Sequence, residues 1–275
     1  MMQIEAIIKN ALDWQGESSK NSSFRGLIRW WVVRLCSPPD MYSRYQAVLG
    51  LLKKEVDSQS RLLEVGSGAT GMTRYWRRHI HGVDVQFDGP ELGYLKKIRL
   101  SGDKLPFADR EFDWVVSCDV WEHLDKDLRR RVIHQMLRVA KEGVISVAPS
   151  GDMSVEKEKR LAKWLLRRGI EIPEWMLEHR KFGLPDRMET AQIIREEAEK
   201  LGREVEVRTR MVTNNRLWFF TWKVHTLAEQ SFAYRLLTVL LIPLSFPLFS
   251  WVWRLGDGYR CCWEARLSAP DSSQT

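Results

Sequence analysis

The sequence predicts an α/β fold with a doubly wound, mostly parallel sheet, and three stretches predict it. Leu62, Leu63 and Val65 make a short apolar strand, followed at once by Gly66, Gly68 and Gly71. A second short strand, residues 80–85, carries Asp84 near its end. Phe112–Cys118 is an apolar run of the kind buried on both faces of a parallel sheet. Strand-like and helix-like segments alternate through the middle of the chain, which requires crossover connections and hence parallel strands.

Taken in order, residues 1–14 have apolar residues at helical spacing and residues 15–23 read as a polar loop. Residues 24–35 combine three arginines with Trp30 and Trp31, a helix suited either to a bilayer interface or to packing on the domain. Residues 41–54 form a further helix carrying Tyr42, Arg44 and Tyr45. The glycine turn after the first strand leads into a polar helical stretch. Residues 95–100 are the third strand and residues 125–141 an arginine-rich helix. Residues 143–148 are the fifth strand and residues 153–168 a helix. Residues 172–187 read as a loop-rich stretch, residues 188–201 as helix and residues 204–212 as the sixth strand.

With 275 residues, the chain has room for one large α/β domain with additions, or for two domains. Its net charge of +7 suits nucleic acid or an anionic membrane surface. Thirteen tryptophans, with Trp30, Trp31, Trp218, Trp222, Trp251 and Trp253 outside the glycine-rich region, favour the membrane. No Asn/Asp-Pro-Pro-aromatic motif for base amino groups is present, so no nucleic-acid partner is expected. The four cysteines have neither CxxC nor His/Cys ligand spacing, so no metal site or disulfide framework is expected, and Cys118 reads as a buried thiol. Residues 1–14 carry Glu5, Lys9 and Asp13, unlike a cleavable signal, which makes the cytoplasm the expected compartment.

The strand–glycine–strand–acid stretch has the physics of a nucleotide pocket. Glycines let the backbone approach a ligand, and free N–H groups beyond the turn face it. Asp84 stands where a carboxylate can accept from both ribose hydroxyls. Gly66, Gly68 and Gly71 also fit the dinucleotide spacing, but Glu64, two residues before the first glycine, would repel a pyrophosphate. It suits a cationic ligand end such as the ammonium of S-adenosylmethionine.

Here the sequence resembles the class I S-adenosylmethionine-dependent methyltransferases, whose first motif is an acid, any residue, then alternate glycines. Thr70 stands where many members have a third glycine. The run GDKLPF…FDWVVSCDVWEHL strengthens the resemblance to the subgroup with a DVxEHL-like ending that acts on small molecules and lipids. A softer resemblance, in EH…GLP, is to bacterial methyltransferases of glycan and lipid biosynthesis. The resemblance implies a seven-stranded Rossmann-like methyltransferase sheet with residues 259–267 as its last strand. It implies S-adenosyl-L-methionine held by Glu64, Gly66, Ser67, Gly68, Asp84, Asp103, Lys104 and Asp119. Asp103 would take the adenine amino group, the Lys104 backbone N–H would face the ring, and residues 105–107 would form a wall beside it.

Residues 216–255 do not belong to the standard fold. Residues 236–253 lack charge but contain Pro243 and Pro247. A single span would put the last strand across the membrane, so a helical hairpin entering one leaflet is expected, with a lid or dimer interface as the alternative. The division is then residues 1–57, N-terminal helices that are membrane-interfacial or packed on the domain; 58–215, cofactor-binding core; 216–256, apolar insertion; and 257–275, last strand and tail.

The expected function is methyl transfer, O-methylation first and C-methylation second, to a hydrophobic, lipid or lipid-linked glycan acceptor at the cytoplasmic membrane face. His123 is the candidate base, with Glu122 and His179 behind it. The alternatives are a non-enzymatic membrane-associated module that keeps the cofactor fold, and an NAD(P)-dependent oxidoreductase. The number of copies in the assembly is left open.

Overall fold

The computed structural model describes residues 39–89, 91–231 and 258–268, together with residues 26, 27, 30, 31 and 33 of an earlier helix. Helix α1 is Pro39–Glu55. Strands β1 (Leu62–Val65), β2 (Ile80–Asp84), β3 (Leu95–Arg99) and β4 (Phe112–Cys118) follow. Then come α2 (Lys126–Val139), β5 (Ala140–Pro149), α3 (Asp152–Leu166), α4 (Glu174–Phe182) and α5 (Arg187–Lys200). The order closes with β6 (Val205–Asn214), α6 (Asn215–Gln230) and β7 (Gly258–Leu267).

The seven strands form one sheet in the order β3-β2-β1-β4-β5-β7-β6. The first five are parallel, and β7 runs antiparallel between β5 and β6. The sheet is thus mostly parallel, as expected, with one antiparallel strand inserted near its end. The reversal from β1–β2–β3 to β1–β4–β5 falls beside β1, so β1 and β4 flank the crevice where open α/β sheets bind ligands.

Two apolar layers cover the sheet. On one face Val115, Ile133, Leu137, Ile194 and Trp263 belong to the layer under α2 and α5. On the other, Val48 and Leu52 of α1 pack with Leu62, Val116 and Ile145. Helices α3, α4 and α6 close a third cluster around Trp218 and Tyr259, stacked at 3.8 Å.

Three expectations are corrected. The helical stretch after the glycine turn is a single 3-10 turn, Gly71–Arg74. Much of the short path from Val65 to Ile80 is the turn itself, and Met72 and Tyr75 fill the place of a helix by packing under α1. Residues 172–187 are not all loop: Glu174–Phe182 is helical, capped by Gly183 at φ 76°. Residues 216–230, expected in an excursion from the fold, lie in α6, which packs on the domain. Asn214 caps α6 by accepting from the Arg216 and Leu217 N–H groups. Trp30 and Trp218 are correspondingly buried in protein, Trp30 donating its indole N–H to the Thr73 carbonyl. The expected hairpin of residues 236–253 lies outside the described residues, and among these no helix is long and apolar enough to cross a membrane.

Candidate active site

The glycine turn is held from both sides. The Gly66 N–H donates to the Val83 carbonyl at 2.8 Å, tying the turn to the end of β2. The Gly68 N–H donates to Asp84 Oδ2 at 2.7 Å. Gly68 has φ +52° and open space where a Cβ would stand, as a backbone that meets a ligand requires. Ser67 is buried, and its hydroxyl donates to the Gly68 carbonyl. The half-buried Asp84 carboxylate therefore sits against the turn.

Glu64 has a different task from the expected one. It is fully buried, accepting at Oε1 from the Tyr45 hydroxyl (2.8 Å) and at Oε2 from the Met72 N–H (2.7 Å). Its carboxylate fills the space beside Gly71, where a Cβ would come within 2.1 Å of Oε2. Burial raises its pKa to about 7 against the pull of those two hydrogen bonds. Glu64 thus shapes the turn from beneath rather than meeting an ammonium group.

Asp103 accepts from the Arg131 guanidinium at 2.6 Å beyond β3, half exposed. Lys104 is exposed beside it. Leu105 and Phe107, expected as an adenine wall, lie in or against the core, with Phe107 edge-on to Phe112.

Asp119, at the carboxyl end of β4 with φ +52°, belongs to a buried ion network instead of facing the turn alone. Arg260 of β7 donates to it from Nε (2.8 Å) and Nη2 (2.6 Å), and to Asp40 of α1 from Nη1 (2.9 Å). Arg44 stands 3.3 Å from Asp119. The two guanidinium groups hold the Asp119 carboxyl below its ordinary value despite burial. Asp40 and Arg260 escaped the sequence reading, although an arginine inside the apolar run YRCCW was a visible signal.

Next to this network is a cavity of about 270 Å³. Its polar side has Asp119, Glu122, His123 and His179, and its apolar side Trp175, Trp218, Trp222 and Met41. Val120, which lies in sequence between the cavity residues Asp119 and Glu122, packs on the glycine turn: its Cγ2 lies 2.1 Å from where a Cβ on Gly66 would stand. His123 Nδ1 is 2.6 Å from Glu178 Oε2, and burial lowers the imidazole pKa. His179 Nδ1 is 2.9 Å from Glu158 Oε1, which also accepts from the Tyr259 hydroxyl. The tryptophans expected at a bilayer thus include Trp218 and Trp222 as walls of this cavity, and Trp175 was missed.

Residues 63–148 match the family described as Methyltransferase domain. The match spans β1 to β5 and contains the glycine turn, Asp84 and the DVWEHL segment. No curated protein matches the chain. Among solved structures, a possible histamine N-methyltransferase from Thermotoga maritima is 16% identical, covering 87% of this chain and 94% of its own, at TM-score 0.47. A Haemonchus contortus phosphoethanolamine N-methyltransferase 2 in complex with S-adenosyl-L-methionine is 15% identical over 82% and 53%, at 0.47. A putative methyltransferase from an antibiotic biosynthesis pathway of Anabaena variabilis is 12% identical over 84% and 98%, at 0.47. Residues 63–148 thus match a methyltransferase domain, and the observed strand order is that of a Rossmann-like α/β fold.

Proposed function

We propose that this chain is an S-adenosylmethionine-dependent methyltransferase that methylates an oxygen of a hydrophobic acceptor, a lipid or lipid-linked glycan, received in the aromatic-walled cavity. The observation that carries this is the cavity's two-sided chemistry. Trp175, Trp218 and Trp222 offer an apolar wall, while the buried Trp175 and Trp222 indole N–H groups and Glu122 Oε2 have no partner. Buried polar atoms without partners are costly, so an occupant with an apolar body and hydrogen-bonding oxygens matches them.

When bound, S-adenosylmethionine supplies an electrophilic methyl group on a sulfonium. The residues suited to hold it are Asp84 for the ribose and the backbone of Gly66–Gly68, with Asp103 and Lys104 on the adenine side. Asp119, which lines the cavity, is fixed by Arg260 and Arg44. Glu178 orients the His123 ring through Nδ1, leaving Nε2 toward the acceptor's proton. Most of the acceleration then comes from positioning the acceptor oxygen in line with the methyl group. Attachment to the cytoplasmic membrane face would rest on residues 232–257, which lie outside the described residues.

The test incubates the purified protein with methyl-labelled S-adenosylmethionine and membrane lipid extract in mixed micelles. Label extracted into the organic phase and stable to alkali is the expected result. Turnover only on water-soluble amines would overturn the acceptor class.

A further inference from the structure

We propose that Glu122, His123 and His179 form a binding site for one divalent transition-metal cation, with zinc the best match to the ligand set. One ligand atom from each residue lies within 4.8 Å of the others. Glu122 is 1% exposed and its Oε2 has no partner. His179 is 5% exposed and its Nε2 has none either. Both line the cavity. Two buried polar atoms left unsatisfied side by side mark a missing partner, since each costs free energy when desolvated alone.

The surrounding groups prepare these atoms for a cation. Each histidine places Nδ1 against a carboxylate, His123 on Glu178 and His179 on Glu158. The Tyr259 hydroxyl fixes Glu158 in turn. A carboxylate on Nδ1 holds the proton there and turns the Nε2 lone pair outward, the arrangement found behind metal-ligating histidines. The rings stand 4.9 Å apart and 56° from coplanar, so they approach a common point from different directions. They come from separate elements, the 3-10 turn Trp121–His123 and helix α4. Two imidazole nitrogens and one carboxylate suit a borderline cation such as zinc better than magnesium or calcium.

Three protein ligands leave a fourth position, which faces the cavity. On the methyl-transfer reading, an acceptor oxygen would coordinate there and lose its proton more readily beside the cation. His123 would then serve as a ligand and not as the free base. The metal site itself stands without that reading.

The experiment titrates chelator-stripped protein with zinc against a chromophoric chelator, and with cobalt while recording visible absorption. One zinc per chain is expected, and a cobalt spectrum of a four-coordinate nitrogen and oxygen site. His179→Gln and Glu122→Gln should abolish stoichiometric binding. Glu178→Gln should weaken it about tenfold to a hundredfold. His134→Gln, which removes a histidine paired with Glu197 away from the cavity, should leave it unchanged. S-adenosylhomocysteine binding by each variant reports folding. If the His179 and Glu122 variants do not fold, the wild-type cobalt spectrum decides. No stoichiometric zinc, an octahedral spectrum, or folded variants that bind like the wild type would overturn the proposal. Zinc binding without S-adenosylhomocysteine binding would support the site and overturn the methyltransferase reading; the converse would do the reverse.

Discussion

The Tyr45 hydroxyl donates to the Glu64 carboxylate across 2.8 Å, and both groups are buried between α1 and the sheet. The bond links the helix before the fold to the residue beneath the glycine turn. It also gives the turn a pH dependence.

Glu64 has its pKa raised from 4.5 to about 7, with burial as the main cause. The native state therefore holds this proton more tightly than the unfolded chain. That contribution to stability is complete below about pH 4.5 and is lost as the pH rises to 7. In Glu64→Gln the amide oxygen accepts from the Met72 N–H, and the amide donates to Tyr45, whose hydroxyl reverses. Urea denaturation should show the stability difference moving in the variant's favour by on the order of 3 kcal/mol between pH 4.5 and 8. A difference that stays constant with pH would contradict this account.

Gly71 and Gly68 share a left-handed backbone but differ in surroundings. At Gly71 a Cβ meets Glu64 Oε2 at 2.1 Å, whereas at Gly68 it meets nothing. Gly68→Ala should cost about 1–2 kcal/mol from backbone conformation alone. Gly71→Ala should cost several times as much, because Glu64 has no room to withdraw. Equal midpoints in parallel urea titrations would be inconsistent with the packing.

Asp84→Asn keeps an acceptor for the Gly68 N–H while removing the charge offered to the ribose. Calorimetric titration should give S-adenosylhomocysteine binding weaker by about tenfold to a hundredfold, since charge-assisted hydrogen bonds are roughly twice as strong as neutral ones. The melting temperature should change little. Unaltered affinity would move the ribose contact elsewhere.

Arg260→Met leaves Asp119 and Asp40 buried with only Arg44 to balance them. The expected loss is about 3–5 kcal/mol, as when one partner of a buried ion pair is removed. Arg260→Lys should recover only part of it, because an ammonium lacks the fork that reaches both carboxylates. Thermal melts of the two variants check the order.

Trp222 packs against Trp175 with ring centres 5.0 Å apart on the cavity wall. Trp222→Ala should raise the KM for an apolar acceptor by about tenfold, the scale of an aromatic contact and its buried area. Cofactor affinity should be unchanged. Parallel loss of both would mean that the cavity and the glycine turn are not separate subsites.

The sheet, the glycine turn and the acid at the end of β2 were legible because they depend on local pattern. Apolar runs, left-handed glycines and an acid at a strand end all announce themselves within a few residues. Glu64 was misread for the same reason. Its neighbours in sequence suggested a ligand contact, while its real partners, Tyr45 and Met72, are set by how α1 packs. The cavity was hidden more deeply. His123 and His179 belong to different elements, and Trp218 joins them only because α6 folds back over β7. Trp218 and Trp222 looked like interface anchors because tryptophan suits both a bilayer and an aromatic-lined cavity, and only packing tells these apart.

The insertion of β7 between β5 and β6 dictates when the site can exist. Arg260 lies on β7, the last of the described strands in chain order, and its Asp40 contact joins α1, the first helix described in full, to that strand. Before β7 arrives, β5 and β6 each present an open edge, and Asp119 lacks its Arg260 partner. Closing so long a loop is slow and entropically expensive, so assembly of the site trails the local helices and turns. The half-assembled sheet is the species most exposed to pairing with other chains. Arg260 acts as a completion signal: the charges at the end of β4 are balanced only once the whole sheet has been threaded.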